Sequence, residues 1–225
     1  MWNNVTGWSD WNSGEWNSSV IFNLSSIGDN YNCTHYIEYY AIDDLGNNYT
    51  EPLNQTVYVD NSPPVSQVNI GDPSYYNADE QMWFVRTDTP IWINTSENYS
   101  DNNACDSGYQ YFHWEAYIWN ESMNDWQMCN ISVWNGTAWR NESTGNETGN
   151  TLKFHFNEEC YHKIVYYGVD NLGNYRRQET EFKVDDTPPF VEIEISSGPS
   201  VNYYVTTHTY LRIHAEDRGA CPVES

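Results

Sequence analysis

Two stretches of this 225-residue chain are near copies of each other, and that constrains its fold more than any other feature. Cys33, His35, Ile37, Tyr39, Tyr40, Ile42, Asp43, Leu45, Gly46 and Asn47 recur as Cys160, His162, Ile164, Tyr166, Tyr167, Val169, Asp170, Leu172, Gly173 and Asn174, always 127 positions on. Downstream, Val59-Asp60-Asn61-Ser62-Pro63-Pro64 recurs as Val184-Asp185-Asp186-Thr187-Pro188-Pro189 at a spacing of 125. A second series runs forward from each Pro-Pro. Pro73-Ser74 and Tyr75-Tyr76 are echoed by Pro199-Ser200 and Tyr203-Tyr204, and Ala104-Cys105 by Ala220-Cys221. A fixed long period is the signature of a repeat architecture. The chain divides into the C-terminal part of one unit (1–64), a complete unit (65–189) and the N-terminal part of a third (190–225). A lone half-unit exposes its core face, and repeat arrays avoid this with modified caps. The expectation is therefore a window on a longer tandem array. The alternative is a subunit that polymerises head to tail, residues 190–225 completing residues 1–64 of the next copy by strand addition. Against it, the two partial units lack a counterpart of the core-like stretch 111–118.

Lys163 to Asp170 alternates at period two, with Ile164, Tyr166 and Gly168 on one face and Lys163, Val165 and Tyr167 on a wetter one. Asp-x-Leu-Gly-Asn then turns the chain, since Gly takes positive φ and Asp or Asn can bond its own backbone. A second strand follows, 55–59 in one copy and 179–184 in the other, and Pro-Pro ends it because Pro lacks the donor a ladder needs. Further strands are expected at 65–70, 90–94, 111–119, 127–134 and 152–156, and no helix. Short strands between turns indicate an all-β antiparallel sandwich. The pattern Tyr-x-Ile-x-Tyr-Tyr-x-x-Asp-x-Leu-Gly-Asn followed by Val-Asp-x-Ser/Thr-Pro-Pro resembles the last two strands of tandem Ig-like repeats in archaeal and bacterial cell-surface proteins. The resemblance implies tandem antiparallel Ig-like β-sandwich domains at the cell surface. It covers the second half of each unit well and the first half loosely. A unit of 125 residues exceeds the ~100 of an Ig domain, and the excess is assigned to residues 120–150.

That same stretch is rich in Asn-x-Ser/Thr, the acceptor for N-glycosylation. The motif occurs at Asn4, Asn17, Asn23, Asn32, Asn48, Asn54, Asn94, Asn98, Asn120, Asn130, Asn135, Asn141 and Asn146. Chance predicts about four or five. Asn, Ser and Thr share loops, which accounts for part of the excess; sequons inside strand-like runs, such as 94–96 and 130–132, are harder to explain that way. The favoured reading is an extracellular N-glycoprotein. Charge agrees. Nine Lys plus Arg against 32 Asp plus Glu give −23, which excludes a nucleic-acid binder of the usual basic kind. No apolar run is long enough to span a membrane.

Cys105 and Cys160 occupy the repeat positions of Cys221 and Cys33, so the simplest pairing is Cys105 with Cys160, while Cys33 and Cys221 pair with neighbouring units. Closing that loop contributes on the order of 4 kcal/mol. Cys129 is left over, either free and buried or displacing one of the others. There is no Cys-x-x-Cys zinc pattern, no Gly-x-Ser-x-Gly elbow and no phosphate loop, so no catalytic residue and no cofactor is assigned. Asp60, Asp185 and Asp186 sit at the junctions and are the calcium candidates, but the acid spacing of a calcium loop is absent and solvated turns are the favoured reading. His35 and His162 are expected to be structural. Trp2, Trp8, Trp11, Trp16, Trp119, Trp126, Trp134 and Trp139 lie among the sequons. They read as packing for the core and for the chain's own sugars, against a glycan-binding platform as the alternative. The expected function is a structural, heavily glycosylated surface fibre, stalk or lattice, not an enzyme. Its partners are further copies or the continuing chain, and its attached glycans. The alternatives are an adhesin or carbohydrate-binding module, or spacer domains of a large secreted enzyme.

Overall fold

A computed structural model of the chain describes residues 2–3, 7–8, 33–40, 45–47, 51, 53–97, 106–195 and 205–217. These residues are all-β, with no helix among them. The chain forms two compact units. One holds residues 1–66, 95–112 and 167–176, the other residues 67–94, 113–166 and 177–225.

Strands β1 (Trp2–Asn3), β2 (Gly7–Trp8), β3 (Cys33–Tyr39) and β4 (Leu53–Val59) form a four-stranded sheet in the order β2-β1-β3-β4. A five-stranded sheet contains β5 (Val65–Ile70), β8 (Ile91–Ser96), β11 (Ile131–Trp134), β12 (Trp139–Glu142) and β14 (Thr151–His155), in the order β12-β11-β14-β8-β5. A seven-stranded sheet runs β10-β9-β15-β16-β7-β6, with β13 also on β9. Its strands are β6 (Ser74–Asn77), β7 (Met82–Val85), β9 (Tyr109–Asn120), β10 (Asp125–Met128), β13 (Thr144–Glu147), β15 (Cys160–Asp170) and β16 (Gln178–Val184). Strands β17 (Phe190–Ile195) and β18 (Leu211–Glu216) pair with each other. Strand β16 runs parallel to β7, while β1–β2, β1–β3, β3–β4, β6–β7, β8–β14, β9–β10, β11–β12, β11–β14, β15–β16 and β17–β18 are antiparallel.

The repeat is visible in the register. Cys33 faces Val59 and Tyr39 faces Leu53, just as Cys160 faces Val184 and Tyr166 faces Gln178. The order β2-β1-β3-β4 likewise reproduces β10-β9-β15-β16. The Leu-Gly-Asn turn works as its composition requires. Gly46 and Gly173 take φ of 81° and 86°, and Asp170 Oδ1 accepts the N–H groups of Leu172 and Asn174, both at 2.8 Å. The Pro-Pro junction is also built twice. Asp60 Oδ1 accepts the Ser62 N–H and Asp185 Oδ1 the Thr187 N–H, each at 2.9 Å. Both are Asx-turns that bend the chain before proline.

The core of the larger unit is sandwich-like. Ile91, Ile93, Ile131, Val133, Leu152 and Phe154 point inward from the five-stranded sheet. Trp114, Ala116, Ile164, Tyr166, Phe182 and Val184 point inward from the seven-stranded one. Phe156 joins the layers, its ring 5.6 Å from Phe154, 5.3 Å from Phe182 and 4.5 Å from His162. Alternation along each strand, one face in and one out, is what two facing sheets demand.

One sequence reading needs correction. The run 127–134 is two strands, β10 and β11, which belong to different sheets; Cys129 and Asn130 carry the chain across. The second face of β15 is the wetter one as expected, with Lys163 and Tyr167 half-buried and only Val165 buried, while Ile164, Tyr166 and Gly168 are all buried. The stretch 120–150, to which the extra length is assigned, holds β10 to β13. Strand β13 lies so close over the core that a Cβ on Gly145 would meet Trp114 Nε1 at 2.8 Å. Gly145→Val should therefore destabilise the fold by about 1–3 kcal/mol through overpacking, read as a lowered urea midpoint.

Candidate glycan-bearing faces

Strand alternation gives the sequon a particular form. In Asn-x-Ser/Thr the first and third residues share one face and the middle residue takes the other. At 94–96 the middle residue Thr95 is buried while Asn94 and Ser96 are exposed; at 130–132 Ile131 is buried, Asn130 exposed and Ser132 half-exposed. Asn54, Asn94, Asn130, Asn135, Asn141 and Asn146 are exposed and Asn120 is half-exposed. Asn4, Asn17, Asn23, Asn32, Asn48 and Asn98 lie outside the described residues.

A sugar is joined through the amide nitrogen, Nδ2, so what matters is which side-chain atom the fold has already engaged. At five sequons it is the oxygen. Asn94 Oδ1 accepts the Thr151 hydroxyl at 2.9 Å. Asn120 Oδ1 accepts the Ser122 hydroxyl at 2.7 Å and the Met123 N–H at 3.1 Å. Asn135 Oδ1, in the β11–β12 hairpin, accepts the Thr137 N–H and hydroxyl and the Ala138 N–H at 2.9–3.0 Å. Asn141 Oδ1 accepts Asn157 Nδ2 at 2.6 Å, and Asn146 Oδ1 accepts from His113 Nδ1 at 2.8 Å. None of these five donates through Nδ2 to another described residue. Asparagines outside sequons are mixed: Asn77, Asn157, Asn171 and Asn174 donate through Nδ2, Asn77 and Asn157 also accept through Oδ1, and Asn150 only accepts, from the Thr151 hydroxyl. Asn157 is a hub that sequence reading missed. It accepts the Ser132 hydroxyl at 2.6 Å and donates to the Asn130 carbonyl and to Asn141, tying two sequons together. No motif marks it.

Aromatic rings lie beside these asparagines on both outer faces. On the five-stranded sheet Trp134 packs on Trp139 at 5.4 Å and Trp139 on His155 at 4.6 Å. Lys153 Nζ lies 5.6 Å from both the Trp92 and Trp139 centroids. Cross-strand register places Asn94 opposite Thr151, Trp92 opposite Lys153, and Ser132 opposite both His155 and Asn141. On the seven-stranded sheet Trp119, Trp126 and Tyr161 form a second cluster, with Lys163 Nζ 4.4 Å from the Trp126 ring. Lys183 lies over Phe84 at 5.1 Å. All three lysines of the chain thus make cation–π contacts. The side chains of Trp2 and Trp8 are not described, and Trp11 and Trp16 lie outside the described residues.

The cysteines divide. Cys160 is disulfide-bonded and Cys129 is free and buried. Cys105 and Cys221 lie outside the described residues, as does the side chain of Cys33. Cys129 Sγ is 3.6 Å from His162 Nδ1, while His162 Nε2 donates to the Glu158 carbonyl at 3.0 Å. The geometry resembles a nucleophile with its base, but the electrostatics run the other way. Burial pushes the thiol up to about 12, with help from Glu158, and pushes the imidazole down to about 4. The pair is a neutral S–H donating to a neutral ring, and an activated thiol needs the reverse. His35, the repeat counterpart, is also buried.

Among the calcium candidates, Asp60 belongs to one unit and Asp185 and Asp186 to the other. Asp60 Oδ2 accepts the Ser107 N–H at 2.8 Å, beyond its turn bond to Ser62. Asp186 Oδ1 accepts from Arg86 Nε at 3.1 Å and Thr87 N at 3.3 Å. No group of three or more His, Cys, Asp or Glu among the described residues is arranged to hold a metal. Glu97, just past β8, was not singled out by sequence. Burial pushes its carboxyl up to about 7, reinforced by the charges of Asp106, Asp170 and Asp60. No family model matches the chain, and no curated protein matches it.

Two opposed pH effects follow. Glu97 ionises at 4.5 unfolded and about 7 folded, so stability falls as pH rises through that window. His162 titrates at 6.5 unfolded and about 4 folded, so stability falls as pH drops through that window, by on the order of 3 kcal/mol. Thermal melts of Glu97→Gln should lose the fall in stability as pH rises toward 7 and keep the fall on acidification. Cys129 should resist alkylation at pH 8 in the folded protein and react on unfolding; rapid native labelling would contradict the neutral pair.

Proposed function

We propose that the chain is a structural, N-glycosylated segment of an extracellular fibre, stalk or lattice, built from tandem Ig-like sandwiches. The observation that carries this reading is the amide geometry: at five sequons the fold engages the asparagine through its oxygen and leaves the nitrogen, the atom a sugar would take, without a bond to another described residue. Seven sequons on exposed or half-exposed positions support it. So does a surface poor in bases, since −23 with only nine Lys plus Arg suits a sugar-clad exterior rather than a charged binding site. In this reading the outer tryptophans pack the chain's own glycans, their apolar faces matching sugar C–H surfaces. The repeated Asx-turn before each Pro-Pro stiffens the junctions between beads. No metal and no catalysis enter.

The Trp92–Lys153–Trp139 cluster favours one second reading, a carbohydrate-binding surface. Binding of enzymatically deglycosylated protein to a glycan array would support it. Glycopeptide mass spectrometry of native material tests the first reading. Sugar is expected at Asn94, Asn120, Asn130, Asn135, Asn141 and Asn146, and unmodified asparagine at all six would sink it. Electron micrographs of that material should show filaments or a lattice.

A further inference from the structure

Four acids distant in sequence meet within one compact unit: Asp60 just after β4, Glu97 just after β8, Asp106 before β9 and Asp170 at the end of β15. Hydrogen bonds stitch three of these segments together. Asp60 Oδ2 accepts the Ser107 N–H at 2.8 Å, and Asn171 Nδ2 donates to the Ser107 carbonyl at 2.8 Å. Asn174 Nδ2 donates to the Asp60 carbonyl at 3.0 Å and to Asp170 Oδ2 at 2.7 Å. Glu97 comes in from β8. Gly168 lets that strand approach, since a Cβ there would collide with Thr95 Cγ2, two residues before Glu97. The Glu97 carboxyl lies within hydrogen-bonding reach of the Asp106 carboxyl and in the field of Asp170 and Asp60.

Buried acids ordinarily have a cation or enough N–H groups beside them. Here Asp60 is 5% exposed, Glu97 7% and Asp170 0%. No ion pair between described residues reaches any of the four acids. Every charge that acts on Glu97 is negative. Glu97 Oε1 is buried with no hydrogen-bond partner, and so is Ser107 Oγ in the next segment. An ionised carboxylate offers about four lone-pair sites. Among the described residues Asp60 commits two of them, to the Ser62 and Ser107 N–H groups. Asp170 commits three, to the Leu172 and Asn174 N–H groups and the Asn174 amide, and Asp106 one, to the Gly108 N–H. Lone pairs from all four acids are therefore left over, around two orphan oxygens.

We propose that Asp60, Glu97, Asp106 and Asp170, with the Ser107 hydroxyl, bind one Ca²⁺ ion. The donors are all oxygens, which suits a hard cation. More than two carboxylates favour Ca²⁺ over Mg²⁺, which gives up its waters reluctantly. Among the described residues no three acids already stand at metal spacing, so the ion would draw the Glu97 and Asp106 side chains onto it. Asp60 opens the Asp-Asn-Ser-Pro-Pro junction. Bound calcium would therefore tie that junction to the ends of β8 and β15. Asp185 and Asp217 follow β16 and β18 as Asp60 and Glu97 follow β4 and β8, so two of the acids recur at the next junction. The fibre reading stands without this site.

Calorimetric titration of the chelator-treated 225-residue chain with Ca²⁺ at pH 8 tests it, with thermal melts as the second measurement. One saturable site is expected, with a Kd on the order of 10⁻⁴–10⁻³ M, as in extracellular calcium modules. Tm should climb with Ca²⁺ concentration, and less with Mg²⁺. Glu97→Gln and Asp106→Asn keep the side-chain shapes and each remove one charge, so each should weaken Ca²⁺ binding about tenfold or more. Glu97→Gln also relieves a buried charge, so it should fold without the ion. Glu121→Gln, at an exposed acid outside the cluster, should bind as wild type does. Absence of a saturable site in wild type would overturn the proposal. So would wild-type affinity in both folded cluster variants. An equal loss in Glu121→Gln would overturn it too, because the binding would then be diffuse attraction to an acidic surface.

Discussion

Period-two alternation in strands that face a partner sheet is the constraint on which the rest of this structure depends. It puts Ile91, Ile93, Phe154 and Ile131 inward and, by the same stroke, Trp92, Asn94, Lys153 and Ser132 outward. Core and surface are therefore not independent designs. A one-residue slip in β8 would bury the sequon asparagine Asn94 and expose its isoleucines, and one in β14 would bury Lys153 and expose Phe154. Asn-x-Ser/Thr suits this geometry because its middle residue is free to be apolar or small. That is how so many acceptor motifs coexist with a continuous core.

Carboxylates do the local shaping. Asp60, Asp170 and Asp185 each spend an oxygen on backbone N–H groups two or more residues on, where the chain must turn. In an acidic chain these residues could be taken for a metal site or a general acid. Each accepts backbone N–H groups at a turn, and the acid that stands apart is Glu97, whose Oε1 is buried without a hydrogen-bond partner. The chemistry that looks most like a site, a thiol beside an imidazole, is quenched by burial for the same reason: neither charge has water to stabilise it.

Much of the fold was legible because repetition and turn chemistry are local. The Cys-to-Asn block, the Leu-Gly-Asn turn and the Pro-Pro stops place β3, β4, β15 and β16 within a few residues of where they lie. The long β9 and the strand at 65–70 were also readable from alternation. The switch of sheets at Cys129 was not, because β10 and β11 read as one apolar-rich run and only the third dimension separates them. Strands β12 and β13 hid inside polar, glycine-bearing sequence, where β-propensity is weak and neighbours decide. At the candidate faces the sequon residues were plain from the motif. Asn157, the lysine–tryptophan contacts and Glu97 were not, since each acquires its role from residues distant in sequence.

Strand β12 is one of the two edges of the five-stranded sheet. Edge strands present unpaired backbone donors and acceptors to any strand that drifts past. Here that edge carries Asn141, and the hairpin leading into it carries Asn135. On the proposed reading each would bear a sugar several times the size of a side chain, standing where a sideways neighbour would have to dock. Lateral sheet merging, the route to cross-β clumps, would be closed by bulk. Growth would then be confined to one dimension, and a crowded coat of such chains could stay a set of separate threads.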